Sequence, residues 1–133
     1  MTPHQQATAA ACLNGAETGE MDFPAIVGQL ISAGFESYSV DFRRARNIYF
    51  LPSGDSLDLA AHDANTPIAA ALDAASLQAA IREAQTNAPG YTYPGFCRKA
   101  ALAGCAGYVV SFSGRRAVYF GRTGETHVEH FPD

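Results

Sequence analysis

Features that mark several common functional classes are scarce or missing in this sequence. The 133 residues hold three cysteines and no Cys-x-x-Cys pair, which argues against a disulfide framework and a structural zinc site. No apolar run approaches the roughly 18–20 residues that span a bilayer. The first residues have neither the basic start nor the apolar core of a secretory signal. No glycine-rich phosphate loop is present, and we expect no metal, no cofactor and no membrane partner.

Basic residues are also few. Nine lysines and arginines face thirteen aspartates and glutamates, which gives a net charge of −4. This balance argues against a nucleic-acid partner, because neutralising phosphates is the main source of affinity for nucleic acid. The apolar share of 47% with 17% charged residues is typical of a globular protein. We expect a soluble protein of the cytoplasm.

Two segments of the chain repeat one another. Residues 23–59 match residues 93–129 without a gap. The identical pairs are Pro24/Pro94, Ala33/Ala103, Gly34/Gly104, Tyr38/Tyr108, Val40/Val110, Phe42/Phe112, Arg46/Arg116, Tyr49/Tyr119, Phe50/Phe120 and Gly54/Gly124. An internal repeat of this quality predicts that one unit of structure is built twice.

Each copy predicts one helix followed by three strands. In the first copy an apolar helical stripe ends at Gly34, since glycine readily takes the left-handed conformation that closes a helix. Tyr38, Val40 and Phe42 then alternate with polar residues, as in a half-buried strand. Short connections imply antiparallel strands. The predicted fold class is α+β: two αβββ repeats (23–59 and 93–129) about a pseudo-twofold axis, with helices packed on antiparallel strands in one or two sheets.

The length is that of one domain covering residues 1–133. Its predicted parts are an N-terminal helix and loop (1–20), the first repeat (22–60), a linker with a helix (61–90) and the second repeat (92–131). Since the two repeats already supply an interface that resembles a dimer's, we expect a monomer or a weak homodimer.

Positions shared by the two copies are expected to encode the fold. We predict core packing for three aromatic pairs, Tyr38/Tyr108, Phe42/Phe112 and Phe50/Phe120. Tyr49 and Tyr119 point to the other strand face, where their hydroxyls would bond across the axis or line a groove. Cys97 and Cys105 align with a valine and a phenylalanine, so we expect both thiols to be buried apolar groups.

The two copies disagree most in the last strand. His127 and Glu129 stand where the first copy has Leu57 and Leu59. A histidine beside a carboxylate could act as a general base or bind a metal ion with it, which makes these two residues the candidate catalytic pair. The simpler interpretation is an edge strand whose solvent side is charged, which prevents pairing with other chains.

A serine–histidine–glutamate arrangement is geometrically conceivable as well. Ser111 lies in the second copy's first strand, and His127 with Glu129 would complete the set. The sequence around Ser111 lacks the strained turn and the oxyanion motif that accompany such a nucleophile.

Arginines cluster near the predicted hairpin ends. If the pseudo-twofold axis brings the two hairpins together, Arg46 and Arg116 contribute to a basic patch that would hold a phosphate, a carboxylate or an acidic partner surface. With Tyr49 and Tyr119 they are the candidate ligand-binding residues. The alternative is that these arginines are solvated and paired with nearby carboxylates.

Residues 20–132 resemble a known family. The segments FPAIVGQLISAGFESYSVDF, NIYFLPSGDS and AGCAGYVVSFSGRRAVYFGRTGETHVEHFP carry the likeness. The family is the uncharacterised bacterial and prophage-associated one often labelled "phage envelope protein", with YdfO-like proteins among its members. The resemblance implies a small α+β fold and assigns no activity to any residue.

Three functional hypotheses follow. The first is a cytoplasmic accessory protein, not an enzyme, that binds a protein partner or a small ligand between its two repeats. The second is a small hydrolase or isomerase that uses His127 with Glu129. The third is a phage-related structural subunit, which would have to self-assemble.

Overall fold

The computed structural model describes residues 1–132 as four helices and six strands. The helices are α1 (Pro3–Thr18), α2 (Phe23–Ala33), α3 (Ala74–Gln85) and α4 (Tyr93–Leu102). The strands are β1 (Ser37–Asp41), β2 (Arg46–Phe50), β3 (Ser56–Ala60), β4 (Cys105–Ser111), β5 (Arg116–Gly121) and β6 (Thr126–His130). We call residues 22–60 the first half and residues 92–130 the second half.

Local sequence signals define the helix ends. Asp22 and Thr92, at matching positions of the two halves, each accept a hydrogen bond from the backbone N–H three residues later, and a proline follows within the first turn of α2 and of α4. Such caps satisfy N–H groups that have no partner inside the helix. Gly34 closes α2 in the left-handed conformation, with φ at 98°. Gly104, just after α4, takes the same conformation at φ 90°.

All six strands form one antiparallel sheet in the order β3-β2-β1-β4-β5-β6. Each half supplies a three-stranded meander, and the pairing of β1 with β4 joins them at the centre of the sheet. The predicted α+β class with antiparallel strands is confirmed, and a single sheet replaces the alternative of two. Because β1 and β4 are antiparallel neighbours, the β1–β2 turn and the β4–β5 turn lie at opposite ends of the sheet.

The helices pack on one face of the sheet, which we call the inner face. Its centre is buried, as Tyr38 and Val110 show with exposed fractions of 6% and 0%. Leu30 of α2 and Leu77 of α3 are fully buried in the same cluster. Each such leucine contributes roughly 1.5–3 kcal/mol relative to an exposed one.

The opposite, outer face of the sheet carries no helix among residues 1–132. Because side chains alternate along a strand, burying Asn47 and Tyr49 directs Ile48 and Phe50 outward. The expectation that Phe50 and Phe120 belong to the core is therefore wrong: the tyrosine, not the phenylalanine, of each Tyr-Phe pair faces the helices. The predicted core pair Tyr38/Tyr108 is buried, and Phe42 and Phe112 pack against its edge.

Candidate functional site: a tyrosine-lined cavity

Two rows of side chains cross the inner face of the sheet from edge to edge. Within each row, every residue is the cross-strand partner of the next. One row is Leu59, Asn47, Val40, Tyr108, Tyr119 and His127, and the other is Leu57, Tyr49, Tyr38, Val110, Ala117 and Glu129. Four tyrosines from both halves thus occupy the middle of the inner face.

A cavity of about 490 Å³ lies between this face and the helices. Its volume falls in the roughly 300–1,000 Å³ range of small-molecule sites. All four helices contribute to its walls, for example through Cys12 of α1, Pro24 of α2, Ile81 of α3 and Phe96 of α4. All six tyrosines of the chain line it: Tyr38, Tyr49, Tyr91, Tyr93, Tyr108 and Tyr119. We call this space the tyrosine cavity.

The tyrosines contact one another through both rings and hydroxyls. Tyr38 stacks on Tyr49 with ring centroids 5.5 Å apart, and Tyr108 lies 5.0 Å from Tyr119 in the other half. The hydroxyls of Tyr93 and Tyr108 are 2.9 Å apart and share a hydrogen bond. Burial raises the pKa of Tyr49 to about 12 and that of Tyr108 well above its ordinary value. The phenols are therefore neutral hydrogen-bonding groups in physiological conditions.

Asn47 supplies an unusual polar group at the first-half end of the cavity. Its side-chain amide donates from Nδ2 to the Tyr49 hydroxyl over 3.3 Å. The residue is only 3% exposed, and within residues 1–132 its Oδ1 has no hydrogen-bond partner. A buried acceptor without a partner costs about 1–3 kcal/mol, and this one belongs to a residue that lines the cavity.

His127 and Glu129 form a hydrogen-bonded pair at the second-half end. Nε2 of His127 lies 2.9 Å from Oε2 of Glu129, and the two side chains are 17% and 19% exposed. Gln78 of α3 donates to the other carboxylate oxygen over 3.4 Å. Glu129 lines the tyrosine cavity. His127, two residues earlier on the same strand face, hydrogen-bonds to Glu129 and is not part of the wall.

Acidic side chains outnumber basic ones on the cavity wall. Glu17, Asp22 and Glu129 bring carboxylates to it, His130 is the one basic lining residue in the described part of the chain, and none of those lining residues is lysine or arginine. The pKa of Tyr119 is raised above its ordinary value, chiefly by burial and further by nearby Cys105 and by the charge of Glu129. The wall is therefore aromatic and acidic.

The candidate ligand-binding residues of the sequence divide into two groups. Tyr49 and Tyr119 line the cavity together with Glu129. Arg46 and Arg116 lie on the outer face, where the guanidinium of Arg46 pairs with Asp58 over 2.7 Å. The condition for a shared basic patch is not met, because the two hairpin turns lie at opposite ends of the sheet.

The serine arrangement considered from the sequence does not assemble. Ser111 lies on the outer face, one residue beyond the inward Val110, and its hydroxyl accepts a hydrogen bond from the Gly114 N–H. His127 and Glu129 are on the inner face. Because successive side chains of a strand point to opposite faces, the sheet itself separates Ser111 from the other two residues.

The three cysteines are buried, as expected for Cys97 and Cys105. Burial raises the pKa of Cys97 to about 12 and that of Cys105 to about 11. Burial also raises the pKa of Cys12, which lines the cavity. All three are therefore protonated thiols. Within residues 1–132, no group of three or more histidine, cysteine, aspartate or glutamate side chains has the arrangement of a metal site.

Several lining residues were missed from the sequence. Tyr91, Tyr93 and Phe96 were assigned no binding role, because they lie in a loop and at a helix start whose position over the sheet depends on the fold. Asn47 had a visible signal. It aligns with Ala117 in the repeat, so the two halves differ there in polarity at an inward strand position.

Residues 13–129 match the model of the family described as "Protein of unknown function (DUF1398)". The chain belongs to this family. The match covers both halves of the sheet, and most of the cavity's lining residues lie within it; the exceptions are Cys12, His130, Phe131 and Pro132. The family's description mentions neither phage nor envelope, and the phage-related label stays a prediction.

No curated protein matches the sequence. Within residues 1–132, none of the helices combines the length and the hydropathy that crossing a bilayer requires.

Proposed function

We propose that this protein is a cytoplasmic accessory protein that binds a small organic molecule in the tyrosine cavity. The observation that carries the proposal is a cavity of about 490 Å³ at the junction of both halves, into which all six tyrosines project. Closing such a space would remove its apolar lining from water, which is favourable at roughly 25 cal/mol per Å². A maintained cavity with polar groups on its wall is the usual form of a ligand site.

The chemistry of the wall supports binding rather than catalysis. A nucleophilic thiol or phenol needs a lowered pKa, whereas burial raises the pKa of Cys12 and of Tyr49. The second candidate, a hydrolase or isomerase, is supported by the His127–Glu129 contact of 2.9 Å. It requires His127 to reach a bound substrate, and Glu129 stands on the wall in its place.

The test is to fill the cavity from two helices. Ala16 of α1 and Ala84 of α3 both line it, so the double variant Ala16→Phe with Ala84→Phe reduces its volume. The matched control places the same two phenylalanines on the exposed faces of the same helices, as Ala11→Phe with Ala79→Phe. The probe is naphthylethanol, a neutral aromatic alcohol, titrated by calorimetry.

We expect one-to-one binding to the parent protein and to the control, and at least about a tenfold loss of affinity in the filled variant. Thermal melting of all three proteins establishes that each is folded. Equal binding by a folded filled variant, or no binding of the probe to the parent protein, would overturn the proposal.

A further inference from the structure

The wall of the tyrosine cavity restricts the kind of molecule that it accepts. We infer that the ligand is an organic cation, an aromatic or aliphatic body with a protonated amine or quaternary ammonium group, whose positive charge lies against Glu129 and the tyrosine rings. This inference rests on the proposed binding function and deepens it.

Charge is the first step of the argument. The wall carries three carboxylates, those of Glu17, Asp22 and Glu129, and one histidine, His130, with no lysine or arginine among the described lining residues. An anionic ligand would meet repulsion from all three carboxylates, against which His130 is the single basic side chain of the described wall. A cationic ligand would be attracted by them, because the carboxylates stand on the low-dielectric wall of a cavity.

Glu129 is the carboxylate best placed to meet the charge. Its first-half equivalent is Leu59, so the fold does not require a polar group there. Only His127 and Gln78 hydrogen-bond to it among residues 1–132, the latter over a long 3.4 Å. A half-buried carboxylate with so little compensation has capacity for another donor or a cation.

The aromatic rings supply the second half of the recognition. Tyr119 and Tyr91 both line the cavity, and Glu129 and Tyr91 lie close enough to the Tyr119 phenol to add to the effect of burial in raising its pKa. A cation within about 6 Å of a tyrosine ring centre is attracted by the negative face of the ring, most strongly when it is desolvated. Tyrosine faces beside one carboxylate are the arrangement by which proteins recognise ammonium groups.

Asn47 gives an independent indication of the same polarity. It is 3% exposed, it lines the opposite end of the cavity, and the atom without a partner is an acceptor, Oδ1. Asn47 and Glu129 stand four strands apart, about 19 Å at the usual spacing. The residue at each end of the cavity floor therefore carries an acceptor, and the enclosed oxygen of Asn47 would reach an N–H or ammonium group once its side chain turns toward the cavity.

Three probes with one aromatic body test the charge. They are naphthylmethyl trimethylammonium, neutral naphthylethanol and naphthylacetate, which differ in the sign of the head group. The chain has no tryptophan, so its intrinsic emission comes from six tyrosines that all line the cavity. Quenching of that emission and calorimetry both report binding.

We expect the cation to bind at least about tenfold more tightly than the alcohol, and the anion to bind least. Glu129→Gln keeps the shape of the side chain and should abolish the preference by weakening only the cation. Asp58→Asn removes one negative charge from the outer face and is the control for net charge, with the preference retained.

The outcomes separate the two proposals. Equal affinity for cation and alcohol, or a preference that survives Glu129→Gln, overturns the cationic ligand while the cavity continues to bind the neutral probe. If the alcohol fails to bind, or binds equally to the filled variant described above, the proposed function itself is wrong. A preference lost in Glu129→Gln and kept in Asp58→Asn supports both.

Discussion

The two edges of the sheet share a backbone pattern and differ in chemistry. Strands β3 and β6 have the same alternation of exposed and half-buried positions. The half-buried positions are Leu57 and Leu59 on β3, and His127 and Glu129 on β6. The leucine edge shows what the fold needs at these sites, and the polar edge shows a departure that stability does not explain. Removing a carboxylate from water costs more than burying a leucine at the same position, so the presence of Glu129 on one edge points to function.

The largest expected effect is the loss of stability at high pH, which the buried tyrosines cause. Burial raises the pKa of these phenols above the unfolded value of roughly 10, so the folded protein favours the protonated form. The stabilisation is complete below about pH 10 and is lost as pH rises through the folded-state values, about 12 for Tyr49 and for Tyr91. We predict cooperative alkaline unfolding, followed by circular dichroism and tyrosinate absorbance.

The same titration compares the halves through Tyr49→Phe and Tyr119→Phe. Both substitutions remove a buried ionisable group and should raise the pH of unfolding. The effect of Tyr119→Phe should be at least as large, because the hydrogen bond from Asn47 lowers the pKa of Tyr49 and so offsets part of the effect of burial there. Tyrosinate absorbance that develops near pH 10 in a folded protein would contradict the burial of the phenols.

The next largest effect is a difference in stability between alanine substitutions at two equivalent glycines. Gly34 and Gly104 both have positive φ, but a Cβ on Gly104 would lie 2.1 Å from the backbone oxygen of Ala71, whereas Gly34 has room. Gly34→Ala should cost about 1 kcal/mol from backbone strain alone. Gly104→Ala should cost about 3 kcal/mol, because the segment before α3 must also move. Urea unfolding of both variants measures the difference, and equal losses would show that the Ala71 segment yields freely.

A third prediction concerns a variant in which the half-buried positions of β6 carry leucines, as those of β3 do. The double variant His127→Leu with Glu129→Leu should keep the free energy of unfolding within about 1 kcal/mol of the parent, since replacing a half-buried hydrogen-bonded polar pair by apolar groups is often neutral or stabilising. It should lose the preference for the cationic probe. A loss of more than about 3 kcal/mol would instead make the pair a structural element.

The smallest expected effect is at Asn47, whose second-half equivalent is Ala117. Asn47→Ala removes one hydrogen bond to Tyr49 and also removes the unpartnered acceptor, and these terms oppose one another. We expect a change in the free energy of unfolding below about 1 kcal/mol, measured by urea titration. The control is Ala11→Ser, a substitution at an exposed position of α1. A large loss would assign Asn47 a structural role.

Much of the fold could be predicted because its signals are local. The caps Asp22 and Thr92, the terminating Gly34 and the alternation from Tyr38 to Phe42 each depend on a few neighbouring residues. The sequence could not show that Tyr49, and not Phe50, points toward the helices, because both residues are apolar enough for a core. Their strand's registry against β1 decides which one the helices cover.

The candidate site was predicted in part. The difference in sequence between residues 23–59 and 93–129 singles out His127 and Glu129, and of the two roles predicted for Tyr49 and Tyr119, a bond across the axis or the lining of a groove, the second matches their place in the cavity wall. Arg46 and Arg116 were grouped on the assumption that the two hairpins meet, and antiparallel pairing of β1 with β4 places them at opposite ends. Tyr91 and Tyr93 reach the cavity only because α3 and α4 pack over the sheet.

The sequence by itself determined the helices, the strands, the matching order of elements in the two halves and the two positions where the last strands differ. Those properties follow from backbone preferences and from periodicity, which act over a few residues. Tertiary structure alone decided that one face of the sheet is covered, that six tyrosines meet around one cavity, and that a carboxylate stands at its wall. Such properties depend on which surfaces pack together, and distant segments of the chain settle that jointly.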